Sequence, residues 1–192
     1  MGRWEHTTVD QIADSNGYLS ENRLEKFVVM VFPNGLQGQI WSAILRSQNL
    51  SVIWESPDVS LPKALKALHH KRALPDLIVV DTRLHHLQPL QLCRWQQKYH
   101  LATKILLVNG VQPHIVNAER QWALTQGAAD LLPRICKNTL VSGASANLRR
   151  VLDVLEITSC DHHTLIKALL RLGLVTSPRC AQPDHPLHSG ET

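Results

Sequence analysis

Along the chain, short apolar runs alternate with longer segments whose apolar positions recur every three or four residues. The first run, Phe27-Val28-Val29-Met30-Val31-Phe32, is apolar on both faces, as a central parallel strand requires, and Pro33-Asn34-Gly35 breaks it. Leu36, Ile40, Trp41, Ile44 and Leu45 follow at helical spacing. A short strand is predicted around Ser51 to Trp54, and Ser60 stands as an N-cap ahead of Leu61, Ala64, Leu65 and Leu68. Leu77 to Val80 forms the clearest strand, introduced by Pro75-Asp76 and ending on Asp81. A helix with Leu90, Leu92, Cys93 and Trp95 comes next, then a strand over Ile105 to Val108 and a helix through Ala118, Trp122 and Ala123. Ala129 to Leu132 reads as a brief fifth strand, and Leu140, Val141, Ala144, Leu148, Val151, Leu152 and Leu155 mark a long amphipathic helix. This alternation describes α/β units wound on both faces of a parallel sheet.

Asp161 opens one helix more, with Leu165, Ile166, Leu169, Leu170 and Leu172 in a stripe too broad to leave in water. The short connection 157–160 suits docking on the body beside the preceding helix. The expected organisation is therefore an arm over 1–25, a folded α/β domain over 26–156, an additional amphipathic helix over 157–176 and a disordered tail over 177–192. The arm is polar without a sustained period, and the tail is rich in Pro, His, Ser and Gly with little apolar material.

Composition changes this picture little. At 192 residues, 44% hydrophobic and 19% charged, the chain fits one well-packed core. It has no apolar run of membrane-spanning length, and Glu5, Asp10, Asp14 and Glu21 stand where a signal peptide would be apolar, so a cytoplasmic location is expected. Cys93, Cys136, Cys160 and Cys180 are widely spaced without a C-x-x-C pair, which argues against a zinc site or a disulfide framework; Cys93 reads as a small core residue. The formal charge of +4 is a mild basic excess. Its densest stretch, Lys63, Lys66, His69, His70, Lys71 and Arg72, is read as a solvated helix face with cations near the C-terminal dipole, and phosphate binding there as the less favoured alternative. The pairs His69-His70, His85-His86 and His162-His163 point in different directions and are poor chelators. The sequence contains no phosphate-loop, dinucleotide-binding or hydrolase-elbow motif.

The segment Pro75-Asp76-Leu77-Ile78-Val79-Val80-Asp81 resembles the third strand and phosphoacceptor of the receiver domain of bacterial response regulators, and Gly127-Ala128-Ala129-Asp130-Leu131-Leu132 resembles that family's fifth strand. The resemblance spans roughly residues 26 to 156. It implies a flavodoxin-like five-stranded parallel sheet in the order 2-1-3-4-5. In that family an aspartate attacks a phosphoryl group while carboxylate-held magnesium, a lysine and a hydroxyl neutralise the developing charge. Asp81 matches the nucleophile. The acidic pair expected after the first strand is replaced by Phe32, Pro33 and Asn34, the hydroxyl residue falls on Asn109, the lysine on Arg134 and the aromatic switch residue on Leu131. A lone carboxylate would hold magnesium weakly, and Arg134 is expected to pair with Asp81 as an imitation of a fixed switch state.

The resemblance thus implies a degenerate, stand-alone pseudo-receiver: a non-enzymatic signalling adaptor with no cofactor or metal. Its partner would be a protein, such as a histidine kinase, another signalling protein or a second copy of the chain; a membrane is not expected and nucleic acid is disfavoured. The competing reading is a response regulator that accepts phosphate at Asp81 from a histidine kinase, and a weaker third is a small nucleic-acid-associated protein that uses the Lys63 to Arg72 helix. Trp41 and Trp122 are assigned to the core, whereas Trp4, Trp54 and Trp95, with Leu165 and Leu169 of the additional helix, are candidate interaction residues.

Overall fold

The computed structural model describes residues 26–174; the arm, with Trp4, and the tail, with Cys180, lie outside them. The chain runs β1 (Phe27–Val31), α1 (Leu36–Arg46), β2 (Ser51–Glu55), α2 (Leu61–His70), β3 (Leu77–Asp81), α3 (Pro89–Lys98), β4 (Lys104–Asn109), α4 (Asn117–Thr125), β5 (Asp130–Pro133), α5 (Leu140–Val154) and α6 (His162–Arg171). The five strands pair in parallel, as the alternation of elements predicts, and in the order β2-β1-β3-β4-β5 that the receiver resemblance implies.

The period of two along each strand divides the core. Val28, Met30, Leu77, Val79, Leu106, Val108 and Leu132 face the side covered by α1, α5 and α6, while Val29, Val31, Ile78, Val80, Ile105 and Leu107 face α2, α3 and α4. Strand β3 lies in the middle and is buried along its whole length, including its terminal Asp81. Its other end is fixed by Asp76, which accepts hydrogen bonds from Phe27 N–H (2.9 Å) and Lys26 Nζ (3.0 Å). Burial works against this charge, yet the Phe27 N–H and Lys26 outweigh it and hold the Asp76 carboxyl below its usual range.

Helix boundaries follow from local chemistry. Ser60 occupies the N-cap of α2 as expected, but its side chain makes no capping bond. Asp161 caps α6 fully, accepting from Thr164 N–H at 3.0 Å. Gly127 takes φ +94°, a left-handed turn that suits glycine and brings the chain from α4 into β5.

Helix α6 docks on the body as expected, but against both α1 and α5 rather than α5 alone. Gln48, at the end of α1, accepts from Asp161 N–H (2.8 Å) and donates to Asp161 O (3.0 Å), which pins the start of α6. The buried stripe is narrower than the sequence suggested. Leu165 and Leu169 sit in the core at 1% and 0% exposure, whereas Ile166 and Leu170 point outward. Leu165 and Leu169 are therefore not available to a partner, because the chain's own body covers them. Trp122 departs from expectation in the other sense: it is 54% exposed, since α4 buries only Ala123 against the sheet. Trp41 is fully buried against Phe32, with ring centroids 6.1 Å apart.

Because Leu169 is packed in the joint core of α1, α5 and α6, Leu169→Asp should destabilise the protein by about 3 kcal/mol through a buried, unpaired charge and lost apolar contact. Thermal unfolding followed by circular dichroism measures this; an unchanged melting temperature would show that α6 does not stabilise the body.

Candidate functional site

Strand β3 delivers Asp81 to the carboxyl end of the sheet, where doubly wound folds place their sites. Its carboxylate is 0% exposed. A charge this far from water requires a partner, and the loop that follows β3 supplies one two residues later. Arg83 Nε donates to Asp81 Oδ1 (3.0 Å) and Oδ2 (3.1 Å), Nη2 donates to Oδ2 (2.6 Å), and the Arg83 backbone N–H donates to Oδ1 (2.9 Å). Both carboxylate oxygens are thus engaged by one residue. The bond to Asp81 also raises the Arg83 pKa above its ordinary value.

The room for this clasp comes from Gly110, just past β4. A Cβ at that position would lie 2.2 Å from Arg83 Nε and 2.7 Å from Asp81 Oδ1, closer than any real contact allows. The glycine therefore lets the guanidinium lie across the carboxylate.

The expected pairing of Asp81 with Arg134 is not found. Arg83 reaches Asp81 along its own loop, while Arg134 is exposed at the rim of a separate groove and its backbone N–H donates to Gln112 O (2.9 Å). The other altered positions are likewise occupied elsewhere. Phe32 is a core residue stacked near Trp41, and its carbonyl accepts from Trp54 Nε1 at 3.2 Å. Pro33 is half-buried and Asn34 exposed. Asn109 closes the loop after β4, its Oδ1 accepting from Val111 and Gln112 N–H, both at 3.0 Å, and its Nδ2 donating to Gln112 Oε1. Leu131 packs partly buried on the α2, α3 and α4 side.

The magnesium that the family resemblance implies does not fit these residues. Asp81 has both oxygens in use, and Phe32, Pro33 and Asn34 bring no carboxylate beside it. Among the described residues, no three His, Cys, Asp or Glu side chains cluster as metal ligands would.

Of the candidate interaction residues, Trp54 lies half-buried over Gly38, where a Cβ would meet its ring at 2.3 Å. Trp95 is half-buried and packs against Tyr99, ring centroids 5.1 Å apart. Cys93 is buried, which pushes its thiol up to about 12 and keeps it unreactive.

A second buried acid, Asp130 at the start of β5, joins two helices to the sheet. Arg120 of α4 donates through Nε to Oδ1 (2.8 Å) and through Nη2 to Oδ2 (3.0 Å), and Arg150 of α5 donates to Oδ2 (2.6 Å). The sequence reading saw Asp130 only as a motif letter and missed both arginines, as it missed Arg83.

No family model matches the chain, and no curated protein matches it. Solved structures do. The response regulator receiver protein from Burkholderia phymatum aligns at 21% identity and a TM-score of 0.52, covering 70% of this chain and 98% of its own. The receiver domain of the response regulator NarL from Mycobacterium tuberculosis aligns at 22% identity and 0.45, over 77% and 95%. The chemotaxis response regulator CheY4 of Vibrio cholerae aligns at 16% and 0.38, over 77% and 98%. At such identities the likeness, carried by the Burkholderia protein, is one of fold: this chain has the flavodoxin-like receiver architecture.

Arg83→Met keeps the length of the side chain and removes its charge. It should cost about 2 kcal/mol, less than a fully enclosed pair because the Arg83 side chain is 39% exposed. Chemical denaturation measures the loss; a variant as stable as the parent would mean that Asp81 does not need this cation.

Proposed function

We propose that this chain is a pseudo-receiver: a non-enzymatic signalling adaptor that works by binding a protein partner. The observation that carries the reading is the closed state of Asp81. In-line attack on a phosphoryl group needs a free carboxylate oxygen and a metal to neutralise the transferred charge. Here the oxygens are held by Arg83, and the loop after β1 offers Phe32, Pro33 and Asn34 in place of acids. A guanidinium set against both oxygens of Asp81 supports a fold held in one state, with output that depends on its surface.

A surface suited to that role lies on the loop after β4 and on α4, where Val111, Val116 and Trp122 are exposed. Exposed tryptophan favours protein contacts, and exposed apolar patches mark interaction sites. Ile53, on edge strand β2, is exposed as well. A histidine kinase, another signalling protein or a second copy of the chain, met in the cytoplasm, is the class of partner this reading implies. Among the described residues no helix is long and apolar enough to cross a membrane.

Incubation with magnesium and a small phosphodonor such as acetyl phosphate should leave the intact mass of the protein unchanged. An added phosphoryl group that disappears in Asp81→Asn would overturn the reading in favour of a phosphorylated regulator.

A further inference from the structure

Helices α2 and α3 lie side by side on one face of the sheet, and together they form a cationic surface that the sequence presents as two separate stretches. Helix α2 and its end carry Lys63, Lys66, Lys71 and Arg72; α3 carries Arg94 and Lys98. All six are exposed. Between Val59 and Ala118 the sequence contains two acidic residues, Asp76 and Asp81. Both are already engaged, Asp76 by Lys26 and Asp81 by Arg83. Among the described residues, none of the six cations has a carboxylate partner; Arg94 Nε donates to the neutral amide of Gln126 (Oε1, 2.6 Å). Asp58, before α2, marks the border of the surface.

An aromatic pair sits within this charge. Tyr99 is 50% exposed and packs on Trp95, and the ammonium groups of Lys66 and Lys98 lie 5.7 and 5.9 Å from its ring centroid, one from each helix. The two lysines share one ring without an anion between them, an arrangement that a polyanion would relieve. Cations around an exposed ring suit a ligand that carries both phosphates and flat bases. A lipid surface would call for exposed aliphatic side chains, and Tyr99 is the sole large apolar residue exposed on these two helices.

We propose that the α2–α3 face binds single-stranded nucleic acid without base specificity, the six cations tracking phosphates and Tyr99 offering a stacking platform. This surface is distinct from the Asp81 end of the sheet, and the proposal stands independently of the pseudo-receiver reading.

Fluorescence anisotropy of a labelled single-stranded oligonucleotide tests it on the full chain. Binding should weaken linearly with the logarithm of salt concentration, with a slope of about −4 for roughly six phosphate contacts. Tyr99→Ala should weaken binding by about tenfold through lost stacking, and the triple variant Lys63→Glu, Lys66→Glu, Lys98→Glu should abolish it with little change in melting temperature. Lys137→Glu, in the groove beside α5, should have no effect. Absence of binding at low salt, or equal binding by the triple variant, would overturn the proposal. So would displacement by polyglutamate as effective, charge for charge, as displacement by unlabelled oligonucleotide together with an unaffected Tyr99→Ala, a result that would assign the surface to an acidic protein segment.

Discussion

A carboxylate at the end of a strand buried on both faces has to be neutralised from within the protein, and the upper edge of this fold is arranged around that need. Strand β3 is the central strand, covered by α1, α5 and α6 on one side and by α2, α3 and α4 on the other, so Asp81 cannot turn toward water. Arg83 answers the charge from the loop that β3 itself leads into, and Gly110 leaves the space in which the guanidinium lies. With both oxygens bound, the residue works as a fixed joint between β3 and the loop it leads into.

The same solution recurs at other strand ends. Asp76 at the beginning of β3 takes a backbone N–H from β1 and the ammonium of Lys26. Asp130 at the beginning of β5 takes its own neighbour's N–H and two guanidinium groups, one from each flanking helix. Each acid thereby fastens a strand end to a different part of the chain. The bonds around Asp76 are partly open to water, and at Asp130 burial outweighs the Leu131 N–H and Arg120 and pushes the carboxyl above its usual range; these acids act by fixing positions in a sheet whose middle is otherwise apolar.

The sheet was legible in the sequence because parallel strands buried on both sides appear as unbroken apolar runs, and helices between them keep a different period. Leu77 to Val80 illustrates this: a short apolar run between Pro75-Asp76 and Asp81 suits a strand buried on both faces. Arg83 was not legible, since a loop residue has no period and its partner is set by the direction in which the backbone turns. The family register pointed to Arg134 instead, a residue whose side chain stays at the surface. Trp122 was misplaced for a related reason. Its helical spacing beside Ala123 marks a face, but the spacing does not say how closely a short helix approaches the sheet, and α4 comes near enough to bury the alanine alone. The stripe on α6 was recognised and its width overestimated, because two layers of contact, α1 and α5, cover only Leu165 and Leu169 fully.

Gly110 couples two loops that are not neighbours in the sequence. A side chain at position 110 would run into Arg83 and the Asp81 carboxylate, so the loop after β4 sets how much room the loop after β3 has for its cation. Without that cation Asp81 would be a buried, unpaired charge. A missing side chain thus acts as a spacer, and the charge balance at the end of the central strand depends on a residue that carries no charge itself.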